Sequence, residues 1–198
     1  NHSTNRYDSY AGFGAELTLM QNAVAEYSNP HLIKLAKGAT SLDVDWADAS
    51  SLRLSLIEDH IIAALTNLMS TYDEVRIHGF YWDQGEQDGV SSDRANAYEF
   101  NLTSFIAAIR SAIGVDLPFV ARRMYTGIYG ANGNYIDTVI AAQDAVAAAD
   151  SSTYLTDEPW SDIWDVLHLD AAAQIRQGNA VFSLLKSLNA GRGVVWQV

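Results

Sequence analysis

The stretch Glu74–Asp88, with the sequence EVRIHGFYWDQGEQD, decides the fold. Its first part, up to Trp82, is a mostly apolar run rich in strand-forming residues and broken only by Arg76 and His78. Its second part is a polar turn built around Gly85. An apolar strand that ends in a polar turn is typical of sheets whose functional groups follow the carboxyl ends of the strands.

Two long amphipathic segments flank this stretch. The spacing predicts a helix over Ser51–Thr71, and its apolar positions fall on one face. That face is expected to contain Leu54, Ile57, Ile61, Leu65 and Leu68. A second helix is predicted over Asp93–Ile113, with a buried stripe of Tyr98, Leu102, Phe105, Ile106, Ile109 and Ile113.

The rest of the chain continues the alternation of strand and helix. Further strands are predicted at His31–Ala36, Pro118–Ala121 and Thr153–Thr156. Further helices are predicted at Ala15–Tyr27, Tyr135–Ala149 and Ala171–Leu188, the last capped by Asp170 and packing through Ile175, Gly178, Phe182, Leu185 and Leu188. Strands that alternate with helices without hairpin signals predict an α/β fold with a parallel sheet.

Composition limits the class of protein. The chain has 198 residues, of which 48% are hydrophobic and 18% charged, so we expect one globular domain spanning 1–198. The net charge of −12 argues against nucleic acid and anionic membrane surfaces as partners, and is compatible with a neutral carbohydrate. The absence of Cys excludes disulfides and a cysteine nucleophile. No apolar run is long enough to span a membrane.

Three polar clusters follow strands or open helices, namely Lys37–Ser41, Asp83–Asp88 and Asp165–His168. In a parallel sheet such clusters converge on one rim. An Asp three residues before a His can orient the imidazole as a general base, as Asp165 would for His168. The side-chain amide of Gln84 and the backbone N–H of Gly38 are suited to an oxyanion hole. Together these groups favour acyl transfer by a serine nucleophile.

The same residues carry a family resemblance. The chain resembles the SGNH/GDSL hydrolase superfamily, and within it the sialate O-acetylesterases and the acetyl xylan esterases of carbohydrate esterase family 6. The resemblance rests on the glycine block Ala36–Leu42, the W-x-Q-G-E-x-D block Trp82–Asp88 and the D-x-x-H-L block Asp165–Leu169, in that order. Gly12–Leu17 resembles the segment before the first helix of the family.

The resemblance implies a three-layer, flavodoxin-like parallel sheet with helices on both faces. It implies a Ser-His-Asp triad in which His168 is the base and Asp165 its partner, with Gly38 and Gln84 as oxyanion donors and no cofactor or metal. The substrate would be an acetylated carbohydrate. Glu86 and Asp88 are expected to hold the turn.

Other residues near the three clusters are expected to have structural roles. Trp46 and Trp82 are expected to pack in the core. The residues Arg122, Arg123, Tyr125 and Tyr129 are expected on a surface loop that could shape a substrate groove.

One block of the family pattern is missing, namely the apolar first strand with its G-x-S-N turn. Ser3 is a candidate nucleophile, although it lacks the glycine, the strand and the Asn spacing, and Ser41 is a weaker one. The first strand and its Ser could come from a preceding segment or another chain, making the domain incomplete at its N-terminus. Alternatively, Gly193–Val198 could supply a strand, or the chain could be a degenerate relative.

Three functional hypotheses therefore stand. The first is a serine esterase that removes O-acetyl groups from a carbohydrate, for which a secreted or cell-surface location is expected. The second is a non-catalytic carbohydrate-binding or structural module built on the same fold. The third is a metal-dependent hydrolase, which could use Asp165, His168 and Asp170 but has no second His cluster at helical spacing.

Overall fold

The computed structural model describes residues 13–125, 135–157, 168–188 and 193–196. The helices are α1 Ala15–Glu26, α2 Ser51–Ser55, α3 Ala63–Met69, α4 Ser92–Ile113, α5 Ile136–Ala149 and α6 Ala171–Leu188. A π-helix, Leu56–Ile62, joins α2 to α3, and a short 3₁₀ turn covers Asp88–Val90. The strands are β1 Val75–Ile77, β2 Phe80–Trp82, β3 Phe119–Arg122, β4 Thr153–Thr156 and β5 Val194–Trp196.

The sheet at the centre of the fold is parallel, with the order β2-β3-β4. One face of the sheet, which includes Phe80, Trp82 and Phe119, joins the main core with α4, α5 and the helix that runs from α2 to α3. On the other face, Val120 packs with Val181 and Leu185 of α6. Helices therefore cover both faces, and the predicted α/β fold with a parallel sheet is confirmed.

Most predicted elements form within a residue or two of the expected bounds. The stripe predicted on α4 is buried at all of its positions, Tyr98, Leu102, Phe105, Ile106, Ile109 and Ile113. The cap on α6 is also confirmed, because the backbone N–H of Ala173 donates to Asp170 Oδ1 at 2.8 Å. On α6 itself, Gly178 and Leu185 are buried as predicted, but Ile175 is 43% exposed.

The face predicted for the helix after Ser51 is partly wrong. Leu54 is 43% exposed, and the buried positions are Arg53, Leu56, Ile61 and Leu65. The step from Leu56 to Ile61 spans five residues and coincides with the π-helix, in which hydrogen bonds run from i to i+5. A regular 3.6-residue period therefore assigns the wrong residues to the core on the N-terminal side of this segment.

The predicted strand over Glu74–Trp82 is split into β1 and β2 at His78 and Gly79. A side chain at Gly79 would collide with the carbonyl oxygen of Pro118 and with Leu185, so the backbones approach closely there. β1 pairs antiparallel with β5, with Val75 opposite Trp196. One alternative above was that Gly193–Val198 supplies a strand. Residues 194–196 do form a strand, but it pairs with β1 and not with β2.

The predicted strand His31–Ala36 is not formed. No hydrogen bond joins the backbone of 31–36 to another backbone group within the part of the chain that the structure describes. Leu32 and Ile33 are 41% and 36% exposed. A strand needs a neighbour to pair with, and no described strand lies beside this segment.

A large cavity lies between the segment 30–37 and β2, with a volume of about 1180 Å³. Helices α1 and α6 line one side of it, and the helix from α2 to α3 lines the other. Below, this space is called the central cavity.

Candidate active site

The loop of the glycine block is held by one buried carboxylate. Asp88 is fully buried, and its two oxygens accept the backbone N–H of Leu42 at 2.9 and 3.1 Å, with Asp43 N–H at 3.3 Å. Burial raises the pKa of Asp88, while the hydrogen bonds from Leu42 and from the Gln84 side chain oppose that rise. These bonds offset the cost of burying the charge, so Asp88 has the predicted structural role.

Gln84 lies between the same two loops. Its side chain is buried, and Nε2 donates to the carbonyl oxygen of Thr40 at 3.0 Å and to Asp88 Oδ2 at 2.5 Å. The hydroxyl of Tyr98, a group whose pKa is raised by burial, donates to the backbone oxygen of Gln84 at 2.9 Å. Both N–H groups of the Gln84 amide therefore have protein acceptors in this arrangement.

Arg122 corrects one prediction. It is the last residue of β3, not part of a surface loop, and it is 6% exposed. Its guanidinium forms ion pairs with Asp83 and Glu86, which brings the turn after β2 against the end of β3. Burial alone would lower the pKa of Arg122, but Asp83 and Glu86 raise it above its usual value, so the side chain stays charged. The structural role predicted for Glu86 is confirmed.

Gln177 of α6 was not among the predicted site residues. Its Nε2 donates to the Tyr81 hydroxyl at 3.0 Å and to Thr156 Oγ1 at 2.6 Å. The Tyr81 hydroxyl in turn donates to Asp83 Oδ2 at 3.1 Å, and burial raises the pKa of Tyr81. The signal in the sequence was a polar residue at a core position, since Gln177 lies midway between buried Ala173 and Val181.

Trp46 and Trp82 pack in the core, as predicted. They are 3% and 6% exposed, and their rings meet edge to face with centroids 5.2 Å apart. Ser41 is also buried, and its hydroxyl accepts the backbone N–H of Val44 at 3.3 Å. Ser41 therefore supports its own loop.

The remaining predicted residues differ in how far the structure describes them. His168 is exposed and lies just before α6. Asp165 and Ser3 lie outside the described residues, as does Tyr129. Tyr125 is 38% exposed, and Arg123 binds both oxygens of Asp144 at 2.7 and 2.6 Å.

The central cavity brings parts of the glycine block, the turn after β2 and the first turns of α6 to one place. Gly38, Asp83, Gln84 and Gln174 all line it. A methyl group added at Gly38 would meet no heavy atom within 4 Å, so the surrounding protein leaves the space beside this residue open.

Two further findings concern classes of site. Within the described ranges there is no group of three or more His, Asp or Glu side chains arranged to hold a metal ion. Among the helices that the structure describes, none combines the length and the apolar character needed to cross a membrane.

A protein of known structure has a similar fold. The chain is similar to a protein from Arabidopsis thaliana of known crystal structure, with 24% identity and a TM-score of 0.62. The match covers 76% of this chain and 58% of the plant protein, so the chain corresponds to little more than half of that protein's length. This likeness supports the fold. No curated protein sequence matches the chain.

A sequence profile of one family covers nearly the whole chain. The profile is described as carbohydrate esterase, sialic acid-specific acetylesterase, and it matches residues 1–186. This range includes the glycine block, the W-x-Q-G-E-x-D block and the D-x-x-H-L block. The chain therefore belongs to the sialic acid-specific acetylesterase family of carbohydrate esterases.

Proposed function

We propose that this protein is a serine esterase that removes O-acetyl groups from a carbohydrate. The observation that carries the proposal is the family match over residues 1–186, which includes all three sequence blocks. It is supported by the central cavity, which Gly38 and Gln84 line together. We take the acetylated sugar to be of the sialate or acetyl xylan type.

In the proposed reaction, His168 takes the proton of a serine hydroxyl, and the serine oxygen attacks the acetyl carbonyl carbon. The carbonyl oxygen becomes an oxyanion, which Gly38 N–H and Gln84 Nε2 stabilise. Collapse breaks the ester bond, and the imidazolium gives its proton to the departing sugar oxygen. Water, deprotonated by the same imidazole, then releases acetate. Asp165 keeps the imidazole in the required tautomer.

The hydrogen bonds of Gln84 define how it would act. One N–H is held by the Asp88 carboxylate, which is itself fixed by Leu42. The other donates to the carbonyl oxygen of Thr40, a neutral acceptor. An oxyanion is a stronger acceptor than a neutral carbonyl, so it would compete for this second N–H. Asp88 would keep the amide in place during the exchange.

The direct test is hydrolysis of p-nitrophenyl acetate and of an O-acetylated sugar by the protein with whatever sequence its gene places before Asn1. We expect His168→Ala to reduce kcat by at least about 1000-fold. His60→Ala is the matched control, because His60 Nδ1 lies 2.9 Å from the backbone oxygen of Ser55, and His60 does not line the central cavity. Equal rates for both variants and wild type would reject the role of His168.

Gly38→Ala tests the oxyanion site without disturbing the fold. Since nothing lies within 4 Å of the added methyl group, we expect the melting temperature to be unchanged. The methyl group would instead crowd the substrate oxygen and lower kcat by about 10- to 100-fold. A fall in both stability and activity would point to a structural role for this glycine.

The nucleophile can be identified by reaction with a fluorophosphonate followed by peptide mapping. Ser3→Ala then asks whether Ser3 is the modified residue. An adduct on a different serine would assign the nucleophile there, and an adduct that is lost in His168→Ala would connect it to the proposed base.

A non-catalytic carbohydrate-binding module is the second candidate. It is favoured by one observation, that both N–H groups of Gln84 already have protein acceptors. This reading predicts that the protein binds an acetylated sugar in calorimetry, hydrolyses no ester and gives no fluorophosphonate adduct.

A further inference from the structure

The buried side chain of Gln177 joins the first half of α6 to two strands of the parallel sheet. Its Nε2 donates to the Tyr81 hydroxyl of β2 at 3.0 Å and to Thr156 Oγ1, at the end of β4, at 2.6 Å. The Tyr81 hydroxyl accepts this bond and donates in turn to Asp83 Oδ2 at 3.1 Å. The hydrogen bonds therefore run in one direction, from α6 to the turn after β2.

The turn at the far end of this chain of bonds carries Gln84, the proposed oxyanion donor. Asp83 directly precedes Gln84, and its Oδ1 pairs with the guanidinium of Arg122 at the end of β3. The Asp83 carboxylate is thus held from two sides, by Arg122 and by the Tyr81 hydroxyl. Because Asp83 and Gln84 are adjacent, a bond that fixes Asp83 also limits where the backbone of Gln84 lies.

The helix at the near end follows His168, the proposed base. Helix α6 begins at Ala171, and Asp170 caps its first turn by accepting the backbone N–H of Ala173 at 2.8 Å. Gln177 lies on the second turn, about 9 Å along the axis from Ala171. A helix is stiff over such a distance, so a contact that fixes Gln177 also fixes the first turn and the residues attached to it.

Apolar packing sets the rotation of α6 about its axis less sharply than these hydrogen bonds do. A Cβ added at Gly178, next to Gln177, would lie 2.4 Å from the carbonyl oxygen of Ala15, so α1 and α6 are in close contact there. Val181 packs against Val120 of β3. Such apolar contacts are non-directional, whereas a hydrogen bond requires alignment of its donor and acceptor. Gln177 therefore supplies a directional contact between α6 and the sheet.

Stability alone would not favour glutamine at this position. Gln177 is fully buried, and its Oε1 has no hydrogen-bond partner among the described residues, a state that costs about 1–3 kcal/mol. With an apolar residue in its place, the Thr156 hydroxyl would still donate to the carbonyl oxygen of Ala121 at 3.5 Å. The Tyr81 hydroxyl would still donate to Asp83. The amide is therefore not needed to satisfy its neighbours, which points to a role in geometry.

We propose that Gln177 and Tyr81 are positioning residues, which fix the start of α6, and with it His168, relative to the turn that carries Gln84. They act through the base and the oxyanion donor, so their effect on catalysis rests on the proposed function. The anchoring of α6 itself does not. Displacing reacting groups by about 1 Å can reduce a rate by about 100-fold, so a small rotation of α6 is enough to matter.

Gln177→Met tests the proposal, because methionine adapts to the space and removes the unpartnered acceptor. We expect the melting temperature to be unchanged or raised. In the protein used for the hydrolysis assay above, kcat should fall by about 10- to 100-fold, while KM changes by less than about two-fold. A merely structural role predicts the reverse, namely a lower melting temperature with kcat preserved in the folded protein.

Asn179→Met is the matched control on the same helix. Asn179 is exposed, and its side chain accepts a hydrogen bond from Asn22 of α1 at 2.8 Å, so it links α6 to a helix and not to the sheet. We expect kcat to be unchanged in this variant.

Tyr81→Phe, which removes the hydroxyl alone, tests whether the two residues act together. If they act through one chain of bonds, the double variant with Gln177→Met has nearly the kcat of Gln177→Met. Losses that multiply would mean that the two residues have separate roles, contrary to the proposal.

Hydrogen exchange of the Ala173 amide measures the anchoring of α6 without reference to catalysis. This amide donates to Asp170 in the first turn of the helix. We expect Gln177→Met to speed its exchange by about 10-fold and Asn179→Met to leave it unchanged. The amide of Leu185, in the last turn of α6, is the internal reference.

Two results would overturn the proposal. The first is unchanged exchange of Ala173 in Gln177→Met. The second is faster exchange with an unchanged kcat in a protein that hydrolyses esters. If the wild type hydrolyses no ester while Gln177→Met speeds the exchange of Ala173, the proposed function fails and the anchoring of α6 stands.

Discussion

The two edges of β2 differ sharply. Along one edge, β2 pairs with β3, and Phe80 stacks on Phe119 with ring centroids 5.2 Å apart. Along the other edge lie the central cavity and the segment 30–37, where Leu32 and Ile33 are exposed. Both edges belong to the same three-residue strand, so the strand's own sequence does not cause the difference. Within the described residues, what differs is the presence of a neighbouring strand that supplies backbone partners and covers apolar side chains.

The comparison first predicts a large difference in stability between apolar truncations on the two sides. Phe105 is fully buried on the paired side and contacts the ring of Trp82, with centroids 4.4 Å apart. Phe105→Ala should lower the free energy of unfolding by about 3–5 kcal/mol. Leu32→Ala, at a 41% exposed position beside the central cavity, should cost less than about 1 kcal/mol. Urea denaturation measures both, and similar costs would remove the contrast.

The next largest loss of stability is expected at the carboxyl ends of the paired strands β2 and β3, where Arg122 lies. Arg122→Met leaves the carboxylates of Asp83 and Glu86 without their shared partner, and these side chains are only 32% and 22% exposed. We expect a loss of about 2–3 kcal/mol, below the value for a fully buried pair. Arg123→Met is the control, because its ion pair with Asp144 is more exposed and should contribute less than about 1 kcal/mol. Thermal denaturation of the two variants would contradict this account if Arg123→Met were the less stable.

The free energy of unfolding is expected to depend on pH through Asp150, the C-cap residue of α5. Burial raises the pKa of Asp150, but hydrogen bonds from Thr153, Ser152 and Arg110 outweigh it and lower the pKa. A lowered folded-state pKa means that this carboxylate stabilises the protein above the unfolded value, near 4, and loses that contribution as the pH falls through the folded value. Asp150→Asn should cost about 1 kcal/mol at pH 7 and flatten the fall in stability as the pH drops below about 4.

The control for this effect is Asp116→Asn. Asp116 also pairs with Arg110, at 2.9 Å, but its side chain is 69% exposed. We expect a smaller loss at pH 7. If unfolding curves measured across the pH range were the same for Asp150→Asn and wild type, the hydrogen bonds to Asp150 would have no net effect on stability.

The smallest predicted change in stability concerns Ala39, in the loop of the glycine block. Ala39 has a φ of 57°, a conformation that costs a residue with a Cβ about 1 kcal/mol or more. Ala39→Gly should therefore raise the free energy of unfolding by about 0.5 kcal/mol after the entropy cost of glycine is included. Ala47→Gly, in the following loop at a residue without positive φ, should lower it. A stabilising effect of both changes would not fit this explanation.

Local patterns predicted much of the fold. The helical period of Tyr98, Leu102, Phe105 and Ile109 gave the buried face of α4, because a regular helix repeats its contacts every three to four residues. The same rule failed before Ile61, because the π-helix adds a residue to the turn. The split between β1 and β2 was also missed, because it depends on how closely Pro118 and Leu185 approach Gly79.

The candidate site divides in the same way. The sequence blocks predicted Gln84 and Gly38 as site residues and Glu86 and Asp88 as turn residues, because the spacing of these blocks is specific to a family; the oxyanion role of Gln84 and Gly38 stays a prediction. They did not reveal that the Gln84 amide is held between Asp88 and Thr40, nor that Gln177 connects α6 to Tyr81. Those contacts join residues distant in the chain, and their partners are set by packing.

By itself, the sequence determined where most of the helices and the strands β3 and β4 lie, the family and the candidate site residues, because these follow from short-range periodicity and from motifs. Only the tertiary structure decided that 31–36 has no strand partner among the described residues, that β5 pairs with β1, that Arg122 is buried and that a cavity of about 1180 Å³ separates β2 from 30–37. The physical reason is that an apolar segment becomes a strand only when another backbone lies beside it, and that neighbour is a property of the whole fold.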